Sequence, residues 1–507
     1  MRRAKEGSVN RSKESSEDTS KEPGADFLQL DIGEAPARGR AQWLAERLRL
    51  ALADGRLPVG STLPATRRLA ADLGVSRGVV TDAYQRLAEA GHVTGRGRGG
   101  TTVVSAPTLP RPERPPATAP SSSALFGQAP PGTDIFDRLR TTPARIDLSP
   151  GLPDLAAFPR AAWLRAERAV LNTLEPSAFG YSDPSGAPAV RRSIARWLAL
   201  NRGIRVDAEE VIIVAGVSQA LALIAHVLRR DGITGIAVED PCSLGIRQHL
   251  NYWGMDTPPV RVDADGLRVD ELTASGAKAV VLTPAHQFPT GVVLHGDRRR
   301  HLSRWAEDGG LIIEDDYDAE HRYDRPPVSA LRAALPEHVF YTGSISKLLA
   351  PALRLGWLLA PARYRDALAL AKRNSDLGNA VLPQLVLAEL LDSGELERQL
   401  RLLRRRHVHR RDAMIKAIAG QLPGTEVHGA AAGLHLTITF APGVDGVALA
   451  AAAFALGVKA HPLSWYGQRP QPPGIVLGYA ASPPGDIAEG IAALGAALRH
   501  QVGGNPR

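Results

Sequence analysis

A chain of 507 residues, of which 44% are hydrophobic and 22% charged, is long enough for two or three compact units and is typical of a globular protein. No apolar run approaches the ~20 residues of a membrane span, and the charged N-terminus lacks the apolar core of a signal peptide, so we expect a cytoplasmic protein without a membrane partner. The single cysteine, Cys242, excludes an internal disulfide and a zinc–cysteine cluster, and no metal site is predicted.

The first segment of the chain, residues 1–25, is polar and charged and is predicted to be a disordered tail. Much of the net charge of +8 follows it, because residues 34–104 contain eleven arginines, no lysine and six acidic residues. Such a local excess is compatible with binding to nucleic acid. An arginine-rich coding bias is the alternative explanation.

Residues 26–104 show three helical repeats of apolar residues, followed by a glycine- and arginine-rich segment. Gly74 ends the second repeat, and Ser76 is a good N-cap for a third helix over residues 76–90. The outer face near the start of that helix carries Ser76, Arg77 and Thr81. With a β-hairpin after it, this order predicts a winged helix-turn-helix, which reads DNA bases with its last helix and follows the backbone with its wing.

The run GRLPVGSTLPATRRLAADLGVSRGVVTDAYQRLAEAGHV resembles the winged helix of the GntR family. The resemblance implies that double-stranded operator DNA is a partner, with Arg67 on a phosphate and Arg77 reading a base. The alternative is a helical bundle that is used only for protein contacts. The residues that this resemblance assigns to DNA are Arg67, Ser76, Arg77, Thr81, Arg96 and Arg98.

Residues 105–140 are rich in Pro, Ser and Ala, lack periodicity and are predicted to form a semi-extended linker. In residues 141–507, short β-rich runs alternate with helical stretches; examples are VIIVAG, GIAVED, AVVLTP, LIIEDD and VFYTGS. This alternation predicts an α/β domain with a largely parallel sheet that helices cover.

The segment TGSISKLLAPALRLGW places Lys347 directly after a predicted strand, with Ser344, Ser346 and Arg354 around it. A lysine amine forms a Schiff base with an aldehyde cofactor once burial or a neighbouring charge lowers its pKa. Hydroxyl groups and a guanidinium suit a phosphate. A solvated surface lysine is the alternative, which the surrounding apolar run disfavours.

Three other strand ends add groups that suit the same kind of cofactor. LIIEDDYDAE delivers a carboxylate for a pyridine nitrogen and a phenol for a ring oxygen, although a solvated acidic turn would look alike. VIIVAGVSQALALIAHVL places a helix N-terminus after a glycine turn, which suits a phosphate but occurs in many α/β proteins. VVLTPAHQFPTGVVL offers side chains for a hydrogen bond to the ring oxygen. The residues concerned are Asp315, Tyr317, Val217, Ser218, His286 and Gln287.

Together these motifs resemble fold-type I aminotransferases. The runs LSPGLPDLAAFP, FGYSDPSGAPAVRRSIARWL, TPAHQFPTG, EDDYDAEHRYD and SKLLAPALRLGW resemble the aminotransferase-like domain of MocR/GabR-type regulators, in which a GntR winged helix, a linker and this domain follow in the same order. The resemblance implies pyridoxal 5'-phosphate (PLP) bound through a Lys347 Schiff base. It also implies a head-to-tail homodimer, in which Tyr181 reaches the phosphate of the cofactor in the partner subunit.

Two positions depart from that family. EDPCSLG places Ser243 where the family has an aromatic ring that stacks on the cofactor, and GIVLGYA places Val476 where aminotransferases have an arginine for the substrate carboxylate. Arg247 and Arg261 are candidates to replace that arginine, and the sequence does not choose between them. The run RQLRLLRRRHVHRRD is interpreted as a solvated helix face rather than a second DNA site.

These patterns favour a transcription regulator that senses PLP itself or a small amine or amino-acid effector. An active aminotransferase with a fused DNA-binding domain is the alternative, which multiple turnover with an amino donor and a keto acid would establish and which Val476 argues against. A third hypothesis is a regulator with a decayed site that binds another ligand, which Ser243 leaves open.

Overall fold

The computed structural model describes residues 32, 35–36, 38–53, 56–57, 59–95, 100–105, 125–127, 131–323 and 328–503. The chain divides into two compact units, Met1–Pro110 and Arg111–Arg507. Among the described residues, no helix combines the length and the apolar character that crossing a bilayer requires.

The first unit is a small three-helix fold with an antiparallel sheet in the order β1-β3-β2. Its buried apolar side chains lie at helical spacing, for example Leu44 and Leu48 on the first helix and Val80 and Leu87 on the third, and they pack into one core. This is the predicted winged helix-turn-helix. Its elements are α1 Arg40–Ala53, β1 Thr62–Leu63, α2 Thr66–Leu73, α3 Arg77–Glu89, β2 Val93–Gly95 and β3 Thr101–Val103.

The second unit contains most of the strands and helices. Its strands are β4 Ile146–Asp147, β5 Ile212–Val214, β6 Ala237–Asp240, β7 Pro259–Asp263, β8 Gly266–Leu267, β9 Ala279–Leu282, β10 Leu311–Asp316, β11 Val339–Ser344, β12 Gly356–Leu359, β13 Glu426–His428, β14 His435–Thr439, β15 Val458–Lys459, β16 His461–Pro462 and β17 Gly474–Gly478. Its helices are α4 Ile135–Thr141, α5 Arg160–Thr173, α6 Pro188–Arg202, α7 Val217–Arg230, α8 Leu244–Tyr252, α9 Val269–Ala274, α10 Gly296–Glu307, α11 Leu331–Ala334, α12 Arg365–Asp376, α13 Val381–Asp392, α14 Glu395–Gln421, α15 Gly446–Ala455 and α16 Pro484–Gly503.

The main sheet has eight strands in the order β5-β12-β11-β10-β9-β6-β7-β8. Strands β11, β10, β9, β6 and β7 are parallel, and β12 is antiparallel to both of its neighbours. Successive residues of one strand, such as Ile312 and Ile313, belong to different buried clusters, because side chains of a strand alternate between the two faces. Helices therefore cover both faces, and the predicted α/β class is confirmed.

A smaller antiparallel sheet, in the order β13-β14-β17-β16, forms the other half of the second unit. It shares a large apolar core with α15, α16 and the last part of α14. Leu125, Phe126 and two residues of α4, Ile135 and Leu139, belong to the same core. The structure therefore differs from the prediction of a linker over residues 105–140, because its C-terminal part is folded into the second unit.

The arginine-rich run lies on α14, and part of it faces inward. Arg410 is 6% exposed and, with Arg406, forms ion pairs with the fully buried carboxylate of Asp154. Arg411 lies over the ring of Tyr323. The interpretation as a solvated face is therefore wrong for these arginines, whose charges are used to hold neighbouring segments together.

Candidate functional site

A cavity of about 540 Å³ lies at the carboxyl ends of the parallel strands β9, β10 and β11. Parallel strands end at one edge of the sheet, so residues far apart in sequence meet there, and ligands of α/β proteins bind at this edge. The predicted cofactor residues that line the cavity are Val217, Ser218, Asp315, Tyr317, Ser344, Ser346, Lys347 and Arg354.

Lys347 follows β11 and projects its amine into the cavity. Its Nζ donates a hydrogen bond to the carbonyl oxygen of Gly151 at 2.5 Å. Burial lowers the pKa of the Lys347 amine, and the negative charges of Asp315 and Asp318 act in the opposite direction. A lysine with a lowered pKa has more of its amine in the neutral, nucleophilic form, which is the form that reacts with an aldehyde.

One end of the cavity is built to hold an anion. Arg354 adopts a left-handed backbone conformation with φ of 50° and directs its guanidinium to the carbonyl of Ala215. A Cβ at Gly216 would lie 3.3 Å from both terminal nitrogens of that guanidinium, so glycine leaves the room they occupy. The same glycine is the N-cap of α7, whose first backbone N–H groups attract negative charge. The Ser344 hydroxyl donates to the Ser346 hydroxyl at 2.8 Å.

Asp315 lies at the end of β10 and is buried, with Thr342 Oγ1 at 3.4 Å from its carboxylate. Burial is the main reason why its pKa rises to about 7, and the neighbouring charge of Asp316 adds to the effect. A carboxylate in such a place is stabilised by a cationic partner. The protonated nitrogen of a pyridine ring is a partner of that kind.

Tyr317 lines the cavity, whereas His286 lies behind it. His286 is 1% exposed, and its Nδ1 lies 2.8 Å from the Asp318 carboxylate and 3.1 Å from the Tyr317 hydroxyl. A buried cluster consists of His286, Asp318 and His435. Each residue offers one atom that could bind a metal ion, and these three atoms lie within 4.8 Å of one another. The prediction that His286 bonds a cofactor oxygen therefore differs from the structure, in which His286 supports Tyr317 from outside the cavity.

Gln287 also lies outside the cavity. Its side-chain amide donates to the carbonyl oxygens of Pro241 and Phe288, and its carbonyl accepts from Thr290. These bonds close the turn after β9 and leave Gln287 with no contact to the cavity. Phe288, the next residue, lines the cavity instead.

Of the two residues that depart from the family pattern, one lines the cavity and the other does not. Ser243 lines the cavity and caps α8 by accepting a hydrogen bond from the backbone of Ile246 at 3.4 Å. Val476 is buried in β17 opposite Thr437 and His461 and does not line the cavity, although His461 does. Burial lowers the pKa of His461 to about 4, so its ring is neutral at pH 7.

Neither predicted substitute for the missing arginine reaches the cavity. Arg247 donates to the carbonyl of Trp465, and Arg261 is an exposed residue of β7 that pairs with Glu271 at 2.8 Å. Tyr181 is 95% exposed and lies outside the cavity of its own chain. Lining residues that the sequence analysis did not identify include Phe136, Arg140, Glu239, Cys242, Thr283, Phe288, His461 and Tyr466.

The predicted DNA residues of the first unit lie on its surface, Arg67 on α2 and the others at or near the start of α3. Arg67, Ser76, Arg77 and Thr81 are all exposed. The Nε of Arg77 donates to the Thr66 hydroxyl at 3.2 Å, which orients the guanidinium at the start of the helix. Ser76 occupies the N-cap position, but its side chain makes no capping hydrogen bond, which differs from the prediction. Arg96 and Arg98 lie outside the described residues.

Known families match both units. The model of bacterial regulatory proteins of the gntR family matches residues 40–103, and the model of class I and II aminotransferases matches residues 145–455. The probable rhizopine catabolism regulatory protein MocR of Rhizobium meliloti is 31% identical over 90% of this chain and 93% of its own length. The HTH-type pyridoxine biosynthesis transcriptional regulator PdxR of Corynebacterium glutamicum is 33% identical over 86% and 91%.

A solved structure resembles the second unit. The multiple substrate aminotransferase of Thermococcus profundus aligns with a TM-score of 0.67 and 27% identity, and the alignment covers 74% of this chain and 96% of that enzyme. The match extends over nearly the whole enzyme, so the likeness includes the part of its fold that surrounds the cavity.

Proposed function

Because the chain belongs to the MocR-type regulators, in which a gntR-family domain precedes a class I and II aminotransferase domain, we propose that occupancy of its cavity controls its binding to operator DNA. As a member of this group it is a DNA-binding transcription regulator, and its cofactor is PLP. The effector in our proposal is PLP itself, or an amine or amino acid that joins PLP in the cavity.

The observation that carries this proposal is the convergence of three chemically different groups on one cavity. Lys347 provides an amine, Asp315 a buried carboxyl and Arg354 a guanidinium beside a helix N-terminus. A guanidinium beside a helix N-terminus suits a phosphate, and a buried carboxylate suits a protonated pyridine nitrogen. The residues present therefore fit PLP.

Each of these side chains has a separate task. Arg354, Ser344 and Ser346 would hold the phosphate, and Asp315 would keep a proton on the ring nitrogen. Tyr317 would offer its hydroxyl to the ring oxygen, and Lys347 is the amine that would hold the aldehyde. When bound, PLP supplies an aldehyde that reacts with amines and a ring that withdraws electrons.

An absorption spectrum tests the cofactor site directly. Addition of PLP to the full-length protein should produce a new band, and the Lys347→Ala variant should lack it. Lys416→Ala, which removes an exposed lysine of α14, is the matched control and should keep the band. If Lys347→Ala folds by circular dichroism and shows the same band as the wild type, Lys347 does not bind PLP.

The regulatory step is tested by DNA binding. Fluorescence anisotropy with DNA from the region upstream of the gene should give different dissociation constants with and without PLP. The Lys347→Ala variant should bind DNA with a constant that PLP does not change. Equal dissociation constants for the wild type with PLP, without PLP and with added amines would overturn the regulatory proposal.

We also assign the exposed Tyr181 to the cavity of a second subunit in a head-to-tail homodimer. The Tyr181 phenol is 95% exposed in its own chain, and a hydroxyl near a phosphate contributes a charge-assisted hydrogen bond. Tyr181→Phe should weaken PLP binding by about tenfold and leave the dimer intact in analytical ultracentrifugation. A monomeric wild type would exclude this assignment.

A further inference from the structure

Helix α4 forms part of the cavity wall, although it precedes the region that matches aminotransferases, residues 145–455. Three of its seven residues, Phe136, Leu139 and Arg140, line the cavity. The residues immediately before it connect the second unit to the DNA-binding unit along the chain. A ligand in the cavity can therefore contact α4, which follows the connecting residues in the chain.

Helix α4 is held firmly enough to serve as a binding surface. Its Ile135 and Leu139 side chains are buried in the apolar core, with 1% and 3% exposure. The buried Lys459 donates one hydrogen bond to the Leu139 carbonyl at 2.7 Å and another to the Asp147 carboxylate at 2.8 Å. This double contact fixes the C-terminal end of the helix against the second unit.

Arg140 is placed to bind an anionic group of a ligand. Among the described lining residues only two carry a guanidinium, and the other, Arg354, belongs to the phosphate end of the cavity. Arg140 pairs with Asp137 three residues earlier, and the two side chains are 66% and 74% exposed. Such surface pairs are worth little, so a ligand carboxylate can replace Asp137 at small cost.

Phe136 gives the same wall an apolar surface next to Ser243. Phe136 Cε2 and Ser243 Oγ both lie within 3.8 Å of the position that a Cβ on Gly245 would take. The centroid of the Phe136 ring is 6.1 Å from that of the His461 ring. An apolar ring and a cation one helical turn apart suit a ligand with an apolar body and an anionic end.

We propose that α4 is the effector-recognition element and that the effector is an amine with an acid group, which Arg140 binds. Arg140 thereby takes the task of the arginine that Val476 replaces. The inference rests on the proposed function, because the amine end of the effector meets the PLP site. It adds to that function the class of effector and the element that recognises it.

Matched pairs of small probes test this inference on the PLP-loaded, full-length protein. β-Alanine and propylamine have the same amine and differ by a carboxylate in place of a methyl group, as do L-alanine and isopropylamine. The half-saturating concentration of each probe is read from the change in the absorption spectrum. In at least one pair the acid should saturate the wild type at a concentration about tenfold or more below that of its partner amine.

Variants of α4 then identify the residue responsible. Arg140→Gln should remove the preference for the acid, and Arg140→Lys should keep part of it. Arg138→Gln, on the same helix but outside the cavity wall, is the control and should keep the full preference.

Two outcomes would overturn the inference. One is a wild type without preference for either acid, and the other is an Arg140→Gln variant that retains the preference. A failure of the proposed function is recognised earlier in the same experiment, because PLP would then give no band that depends on Lys347.

Discussion

At Asp315 the requirements of folding and of cofactor binding are opposed. Burial raises the pKa of this carboxyl group to about 7 from an ordinary value of 3.8, so the protein without PLP favours the protonated form below about pH 7. The corresponding stability is fully present below about pH 4 and is lost as the pH rises through about 7. A ring nitrogen, by contrast, requires the ionised form as its partner.

The Asp315→Asn variant separates these two requirements. Without PLP at pH 8, the variant should unfold at a higher temperature than the wild type, because a neutral amide carries no cost of ionisation. The expected gain in the free energy of unfolding is at most about 2 to 4 kcal/mol. At pH 4.5 the two proteins should unfold at similar temperatures. PLP binding to the variant should be much weaker at both pH values.

Asp308→Asn, on an exposed residue after α10, serves as the control and should change neither property. An Asp315→Asn variant that is less stable than the wild type at pH 8 would show that the buried carboxylate is stabilising as it stands. The measurements needed are thermal unfolding followed by circular dichroism and titration with PLP.

The sequence located single residues well where strand geometry decides their position. Asp315 follows a strand and Lys347 a neighbouring one, and parallel strands bring their carboxyl ends to one edge, so both line the cavity as expected. His286 and Gln287 lie in a turn, where the direction of each side chain depends on hydrogen bonds within the turn. These bonds turn both residues away from the cavity, which no sequence pattern indicates.

On the scale of the element, α3 carries the predicted base contact. Arg77→Ala should weaken binding to the operator by about tenfold to a hundredfold, because an arginine that reads a base contributes on the order of 1 to 3 kcal/mol. Anisotropy titrations at a fixed salt concentration measure the effect. Gln85→Ala, on the same helix where Gln85 pairs with Glu89, is the control and should bind like the wild type. Equal affinities of both variants would mean that Arg77 makes no contact with the operator.

Helix α14 depends on a buried carboxylate from another segment. Asp154 lies 2.7 Å from Arg406 and 2.8 Å from Arg410, and its side chain is fully buried. Asp154→Ala leaves a buried guanidinium without its partner and should lower the free energy of unfolding by about 3 to 5 kcal/mol. Urea denaturation should show a smaller effect, within about 0.5 kcal/mol, for the exposed Asp412→Ala on the same helix. Similar midpoints for the two variants would show that this ion pair adds no stability.

Two elements show why composition alone misplaced part of the chain. Residues 105–140 are rich in proline, alanine and serine, yet Ile135, Phe136 and Leu139 have the spacing of one helical face, and this local signal was available. In α14 the arginines follow each other so closely that they occupy every side of the helix. Whether an arginine faces solvent or Asp154 depends on a residue some 250 positions away, which the sequence does not reveal.

For the whole molecule, coupling between the two units must be reciprocal. If PLP changes the dissociation constant for operator DNA by some factor, operator DNA must change the dissociation constant for PLP by the same factor. Titration of PLP with and without saturating operator DNA should therefore give a ratio equal to that found in the anisotropy experiment. The Arg77→Ala variant at the same DNA concentration should show a smaller shift, because less of it is bound to DNA.

Cys242 makes the opening of the cavity wall measurable through the reactivity of its thiol. It is the one cysteine of the chain, lines the cavity and is 6% exposed, and burial raises the pKa of its thiol. Disulfide reagents react with the thiolate, so labelling must wait until the wall around Cys242 opens to solvent. The labelling rate of the unaltered protein therefore reports how often the wall around Cys242 opens. A ligand that keeps the wall closed should therefore slow the labelling of Cys242.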